Sequence, residues 1–133
     1  LSLVGEHLSV DNMSKALQLA TEELNVSIPE FTVAGVPHGS FFAHHWYVAS
    51  DDHVDAELLR NKIDQHLKEL NDDYAVERAS ALKEVYLDVL PEQTFMDFLE
   101  SKGKIGGQHK FPRVLKGNML QDWKAFLSKT TIS

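Results

Sequence analysis

The residues best suited to chemistry in this sequence lie in a basic, glycine-rich segment that runs from Ser101 to Gly117. The segment has no carboxylate, although the whole chain of 133 residues has a net charge of −7. Its glycines let the backbone approach a ligand closely, and free backbone N–H groups beside lysines suit phosphate or carboxylate oxygens. The segment therefore indicates either an anion-binding loop or a solvated surface loop, and its composition does not separate the two. Its cations are Lys102, Lys104, Lys110, Arg113 and Lys116.

The other residues whose types could perform chemistry are better explained by structural roles. His44 and His45 are adjacent in a predicted strand, so their side chains point to opposite faces and cannot share an ion. The chain has no cysteine and no His-x-x-x-His pattern, and we predict no metal site. The pairs Asp51-Asp52 and Asp72-Asp73 lie where turns and helix caps are expected. Residue types alone therefore predict no more than a basic loop on an acidic domain.

Composition limits the class of protein. A hydrophobic content of 43% and a charged content of 25% are typical of a globular chain, and 133 residues suffice for one domain. No apolar run approaches the ~20 residues that span a bilayer, so we expect no membrane partner. The net charge of −7 argues against nucleic-acid binding. The absence of cysteine fits a reducing compartment, and we expect a cytoplasmic protein. Because the chain begins at Leu1 without methionine, we expect a piece of a longer protein.

The first half of the chain is predicted to fold as helix, hairpin and helix. Ser9 is a suitable cap for a helix that ends near Asn25. Residues 28–36 and 41–49 read as two strands joined by a turn at residues 37–40. The second strand is apolar on both faces, which predicts a central strand that is covered on both sides. Residues 50–52 are then predicted to cap a second helix, whose apolar stripe is Leu59, Ile63, Leu67 and Leu70.

The second half alternates strand and helix. The second helix is predicted to end near residues 71–74, and residues 85–89 alternate as a strand that Pro91 stops. Thr94 with Asp97 predicts the start of a short helix that ends at Gly103. Residues 111–115 form a last strand, and Asn118 caps a last helix. The order α-β-β-α-β-α-β-α predicts an α+β fold, a small mixed or antiparallel four-stranded sheet flanked by helices, with residues 1–8 as a lead-in and 9–133 as one domain.

Four segments in order resemble the Gretchen Hagen three family, the auxin-responsive acyl acid–amido synthetases of plants and their bacterial relatives. Residues 103–113, Gly-Lys-Ile-Gly-Gly-Gln-His-Lys-Phe-Pro-Arg, resemble the closing motif of the family. Residues 70–74 with Arg78 resemble its Leu-Asn-x-x-Tyr…Arg segment, and residues 94–98 its Thr-Phe segment. Residues 5–9 fall where the family hinge precedes the C-terminal domain. The likeness covers essentially the whole chain, and we expect a bacterial-type member.

The resemblance implies the C-terminal lid domain of an adenylate-forming ligase. Such enzymes use ATP and Mg²⁺ to convert a carboxylic acid to an acyl-adenylate, and an amino acid's amine then attacks to give an amide and AMP. The lid rotates on its hinge between the two half-reactions and works with an N-terminal domain of the same chain. We therefore expect the 133-residue chain alone to be inactive.

By position in the motif, Lys110 is the candidate for the lysine that the lid brings to the adenylate. The resemblance assigns Arg113 to the positioning of the loop and nucleotide, with a plain salt bridge as the alternative role. Glu6 and His7 fall at the hinge, where many family members carry a lysine in place of His7. No metal ligand is implied. The further positions assigned to loop and nucleotide positioning are Lys104, Gly106, Gly107 and Gln108.

A different class of function explains the basic segment equally well. The chain would then be a free-standing α+β regulatory module that binds an anionic ligand or an acidic partner through residues 102–116.

Overall fold

The computed structural model describes residues 8–103 and 110–132, with side chains as far as residue 129. These ranges contain five helices and four strands. No helix within them is long and apolar enough to cross a membrane. In chain order the elements are α1 (Val10–Leu24), β1 (Glu30–His38), β2 (Phe41–Ala49), α2 (Ala56–Leu70), α3 (Asp72–Ser80), β3 (Leu82–Leu90), α4 (Glu92–Ser101), β4 (Val114–Leu115) and α5 (Gly117–Ile132).

The strands form one four-stranded mixed sheet in the order β3-β2-β1-β4. β1 and β2 are an antiparallel hairpin, whereas β3 runs parallel to β2 and β4 runs parallel to β1. The predicted α+β class, with a small mixed sheet flanked by helices, is confirmed. The prediction that the second strand is central and covered on both faces is also confirmed, since β2 lies between β1 and β3.

Successive residues of β2 face two separate hydrophobic cores. Trp46 packs on one face with α1, α2 and α3, and Tyr47 packs on the other face with α4, β4 and α5. Both side chains are nearly inaccessible to solvent. The second core is mainly aromatic, and the ring of Trp123 lies 5.0 Å from the ring of Phe98 and 5.1 Å from that of Phe95. Phe111 and Leu115 of the basic segment belong to this aromatic core.

Helix α3 was missing from the sequence prediction. The predicted break near residues 71–74 is present. Asn71 is the C-cap of α2, and its N–H donates to the carbonyl of Leu67 at 3.0 Å. The same residue also begins α3, since its side-chain oxygen accepts from the N–H of Tyr74 at 2.9 Å. Asp72 and Asp73 then lie in the first turn of α3, where negative charge is favourable. The cluster of polar residues that predicted a turn therefore joins two helices.

Two predicted helix caps are wrong. Asp55, not residues 50–52, caps α2 by accepting from the N–H of Leu58 at 3.1 Å. The hydroxyl of Ser50 donates instead to the carbonyl of Ser27 at 2.7 Å, and Asp52 accepts from the N–H of Ser27 at 2.7 Å. Helix α4 begins at Glu92, so Thr94 lies inside it and does not cap it. Ser50 and Asp52 therefore fix the loop before β1, whereas Asp51 accepts from the N–H of Glu92 at 3.3 Å at the start of α4. A local pattern reveals none of these contacts.

The hairpin and the last strand also differ in extent from the prediction. β1 runs two residues later than predicted and includes His38, so the turn is only Gly39 and Ser40, with Gly39 at φ 62°. β4 has two residues, and α5 begins at Gly117, one residue before the predicted cap Asn118. The pairing of β4 with β1 is correspondingly short, with two register pairs.

A buried ion pair joins α2, α3 and β3. The guanidinium of Arg78 forks onto the carboxylate of Asp64, with its Nε 3.0 Å from Oδ1 and its Nη2 3.1 Å from Oδ2. The hydroxyl of Tyr74 donates to Asp64 at 2.5 Å, and Arg78 also donates to the carbonyl of Leu82 at 2.8 Å. Burial opposes ionisation, but the hydrogen bonds from Arg78 and Tyr74 outweigh it and hold the pKa of Asp64 below its usual value. The pair therefore fixes the start of β3.

We expect Asp64→Asn to lower the free energy of unfolding by about 3 kcal/mol, because it leaves the guanidinium of Arg78 without its counter-charge. Urea unfolding of the chain near neutral pH measures this loss. The matched control is Glu23→Gln, since Glu23 is 44% exposed and pairs with Lys62 and His66 at the surface. It should cost clearly less than Asp64→Asn, because solvent screens a surface pair. Equal losses for the two variants would contradict the role given to the Asp64–Arg78 pair.

Candidate functional site

The basic segment begins at the end of α4 with a helix stop. Gly103 has φ 77° and donates its N–H to the carbonyl of Glu100 at 2.9 Å, which confirms the predicted end of this helix. The ammonium of Lys102 forms an ion pair with Asp122 of α5 and lies 5.9 Å from the ring of Phe98. Lys102 is therefore engaged in joining α4 to α5.

Several sequence-predicted site residues lie outside the described residues. They belong to the glycine-rich loop and to the hinge, and the roles that the family resemblance gives them stay predictions. These residues are Lys104, Gly106, Gly107 and Gln108 in the loop, and Glu6 and His7 at the hinge.

The described chain resumes at Lys110, whose side chain is exposed. The next side chain, Phe111, is only 1% exposed and belongs to the aromatic core. Its ring lies 4.8 Å from that of Phe95 and 5.0 Å from that of Trp123. Pro112 follows and favours an extended backbone at Phe111. An exposed cation therefore comes directly before a firmly packed aromatic anchor.

Arg113 is bound to strand β1 by its side chain and by its backbone. Its Nη1 forms an ion pair with Glu30 and donates to the carbonyl of Phe31 at 3.0 Å, and the guanidinium lies 4.5 Å from the centre of the Phe31 ring. Its own carbonyl accepts from the N–H of Val33 at 2.9 Å. The salt bridge that the sequence left open for Arg113 is thus present, while a contact of Arg113 with a ligand stays a prediction.

Glu30 is a residue that sequence reasoning missed. It lies 83 positions before Arg113, and no local pattern links the two residues. The sequence placed Glu30 only inside the predicted strand of residues 28–36. The contact exists because β4 pairs with β1 in parallel, which brings the segment before β4 beside the start of β1.

The other family-like segments serve packing in the described structure. Tyr74 and Arg78 of the Leu-Asn-x-x-Tyr…Arg segment hold Asp64. In the Thr-Phe segment, Phe95 and Phe98 are each 1% exposed within the aromatic core. Phe95 and Phe98 pack on Phe111, the residue that follows the exposed cation Lys110, and such a cation is suited to an anionic oxygen.

The adjacent histidines of β2 face opposite sides of the sheet, as the sequence predicted. His45 pairs with Asp88 at 2.8 Å and stacks on Tyr47 with ring centres 4.1 Å apart. His44 is fully buried between the rings of Phe42 and Tyr74, at 5.9 and 6.2 Å. Burial, together with the nearby charge of Arg78, lowers the pKa of His44 to about 4. No group of His, Asp or Glu side chains in the described ranges could hold a metal ion.

The fold and this segment define a class of protein, a small two-core α+β domain that presents a lysine beside an aromatic anchor. A comparison with known families identifies this class. The family model for the GH3 family C-terminal domain matches residues 11–118. The chain therefore belongs to the GH3 family, and the resemblance drawn from its motifs is confirmed.

Solved structures of similar fold come from the same family. One is a GH3.15 acyl acid amido synthetase, with a TM-score of 0.61 and 18% identity over 86% of this chain and 24% of that chain. Another is the AtGH3.15 acyl acid amido synthetase in complex with 2,4-DB, with a TM-score of 0.57 and 22% identity over 89% of this chain and 25% of that one. The chain thus spans about a quarter of the length of these structures. A sequence search among curated proteins gives no match.

The buried, neutral His44 predicts a loss of stability as the pH falls. The unfolded chain binds a proton near the ordinary pKa of 6.5, whereas folded His44 binds it only near pH 4. Stability is therefore lost between these values, by up to about 3 kcal/mol for a shift of this size. Asp64, with its lowered pKa, adds a further loss only at still lower pH.

We expect His44→Leu to flatten the pH dependence of the unfolding free energy between pH 6.5 and about 4, as measured by urea unfolding at several pH values. The control is Phe42→Leu, which changes the same core without removing a titratable group. It should lower stability at every pH and keep the slope. An unchanged slope in His44→Leu would mean that folding does not lower the pKa of His44.

Proposed function

We propose that this chain is the C-terminal lid domain of an ATP-dependent acyl acid–amido synthetase. The complete enzyme joins a carboxylic acid to an amino acid in two steps. The acid's carboxylate oxygen attacks the α-phosphorus of ATP and pyrophosphate leaves, and the amine nitrogen then attacks the acyl carbon, loses a proton and expels AMP. Membership of the GH3 family supports the proposal, and the observation that carries it is the exposed Lys110 beside an anchored aromatic residue.

In this proposal Lys110 is the catalytic residue of the domain. Its ammonium approaches the α-phosphate and offsets the negative charge that develops as pyrophosphate leaves. A mobile domain that delivers this cation also excludes water from the acyl-adenylate. Lys110 is suited to the task because its side chain is exposed while the next residue, Phe111, is buried.

The remaining components belong to the proposed full-length enzyme. The described residues contain no cluster of His, Asp or Glu that could hold Mg²⁺. ATP and Mg²⁺ therefore belong to the full-length enzyme in this proposal. We propose that an N-terminal domain of the same chain binds ATP, the carboxylic acid and the amino acid, with Glu6 and His7 at the hinge. Lys104, Gly106, Gly107 and Gln108 would shape the loop around the nucleotide. The absence of cysteine supports a cytoplasmic enzyme.

The alternative, a free-standing module that binds an anion through residues 102–116, loses support from the ion pairs. Lys102 pairs with Asp122 and Arg113 pairs with Glu30, so two of the five cations of this segment are already neutralised by the domain itself. The exposed cations Lys110 and Lys116 remain for a ligand among the described residues. A presented lysine fits this arrangement better than a broad basic surface does.

We expect Lys110→Ala in the full-length enzyme to lower the rate of acid-dependent ATP–pyrophosphate exchange by about 100-fold, because the α-phosphate loses a stabilising cation in the transition state. Binding of the acid, measured by calorimetry, should not change. The matched control is Lys116→Ala, an exposed lysine of the same segment, and its exchange rate should equal that of the wild type.

Two results would contradict the proposal. The first is an unchanged exchange rate in Lys110→Ala, which would remove Lys110 from the adenylation step. The second is acid-dependent pyrophosphate exchange by the 133-residue chain alone, since we propose that the substrate sites lie in the N-terminal domain.

A further inference from the structure

Glu30 stands out among the charged residues because one carboxylate meets two parts of the segment that follows Lys110. One oxygen forms an ion pair with the guanidinium of Arg113, and the other accepts a long hydrogen bond from the N–H of Phe111 at 3.5 Å. These two donors stand on either side of Pro112. Glu30 thus holds both ends of the tripeptide that begins one residue after Lys110.

The tripeptide has few other polar attachments in the described structure. The backbone of Arg113 binds Val33 at 2.9 Å, and its side chain binds the carbonyl of Phe31 at 3.0 Å. The strand that follows, β4, pairs with β1 over only two residues. A ladder this short fixes a chain weakly, so the carboxylate of Glu30 supplies much of the orientation of this segment.

Burial strengthens these contacts. The side chain of Glu30 is 22% exposed and that of Arg113 is 27% exposed, so solvent screens the pair less than it screens a fully exposed one. The guanidinium also lies against the Phe31 ring, which prevents it from rotating freely. The pair is therefore a fixed attachment point.

We propose that Glu30 is a positioning residue for Lys110. By fixing Phe111 and Arg113 against the start of β1, its carboxylate sets where the backbone of Lys110 emerges and where its ammonium is presented. This inference rests on the proposed function, because Lys110 must act on a substrate for its position to matter. Displacement of a catalytic group by about 1 Å can lower a rate by up to about 100-fold.

The first test measures position without activity. Limited trypsin digestion of the folded full-length enzyme, followed by mass spectrometry, gives the rate of cleavage after Lys110. Glu30→Ala should increase this rate, because the bond between Lys110 and Phe111 is no longer held. Cleavage after Lys68, an exposed residue of α2, is the internal control and should not change. The variant Glu23→Ala removes a carboxylate that contacts Lys62 and His66 at the surface, and it should leave cleavage after Lys110 unchanged.

The second test is a double-mutant cycle on pyrophosphate exchange. Glu30→Ala should lower kcat by about 10- to 100-fold and leave the KM values for ATP and acid unchanged. In a Lys110→Ala background the same change should have an effect below about twofold, because Glu30 acts only through Lys110. Glu30→Gln keeps an acceptor oxygen and should lie between Glu30→Ala and the wild type, which provides a milder variant if Glu30→Ala folds poorly.

Each result decides the question. Faster cleavage after Lys110, together with a loss of kcat that disappears in the Lys110→Ala background, supports the proposal. Unchanged cleavage in both Glu30 variants overturns it, and so does an equal loss of kcat in both backgrounds. If cleavage increases while Lys110→Ala itself has the wild-type rate, the proposed function has failed, and Glu30 is then only a structural anchor.

Discussion

The structure depends on burying both faces of strand β2. β2 lies between β1 and β3 and carries apolar side chains on both faces, so each face needs a layer of helices. Helices α1 and α2 cover the face that carries Trp46, and α4 and α5 cover the face that carries Tyr47. The outer strands then need attachments of their own. The Asp64–Arg78 pair fixes the start of β3, and the Glu30–Arg113 pair fixes the chain that enters β4.

This arrangement explains how an acidic domain can present a cation. Lys102 and Arg113, two charges of the basic segment, are neutralised by carboxylates from α5 and β1. Lys110 is exposed, and the backbone that follows it is held by a buried ring and by Glu30. In the proposed enzyme, the fixed backbone of Lys110 brings its ammonium to the same position each time the lid closes. Charge stabilisation of a transition state requires such a reproducible position. The aromatic core supplies the rigidity, and the ion pairs supply the orientation.

Periodicity and turn chemistry predicted the fold class and located most elements, and they failed where one residue had two roles or a distant partner. Asn71 ends one helix and begins another, so a pattern that ends a helix also concealed α3. Residues 50–52 have the composition of a helix cap, but Ser50 and Asp52 bind Ser27 and Asp51 binds the N–H of Glu92, partners to which no local rule points. The capping pattern of Thr94 predicted the start of α4 at that residue. The helix instead begins at Glu92, directly after Pro91.

The sequence by itself determined the apolar faces, the α+β class, the opposite orientations of His44 and His45, and the family to which the chain belongs. These follow from spacing along the chain and from residue types in order, which are local properties. Only the tertiary structure decided that Arg113 binds Glu30, that Arg78 and Tyr74 bind Asp64, and that Lys110 stands exposed beside a buried ring. These contacts join residues as far as 83 positions apart, and strand pairing and helix packing bring them together. Such pairings become visible only once the order of strands in the sheet is known.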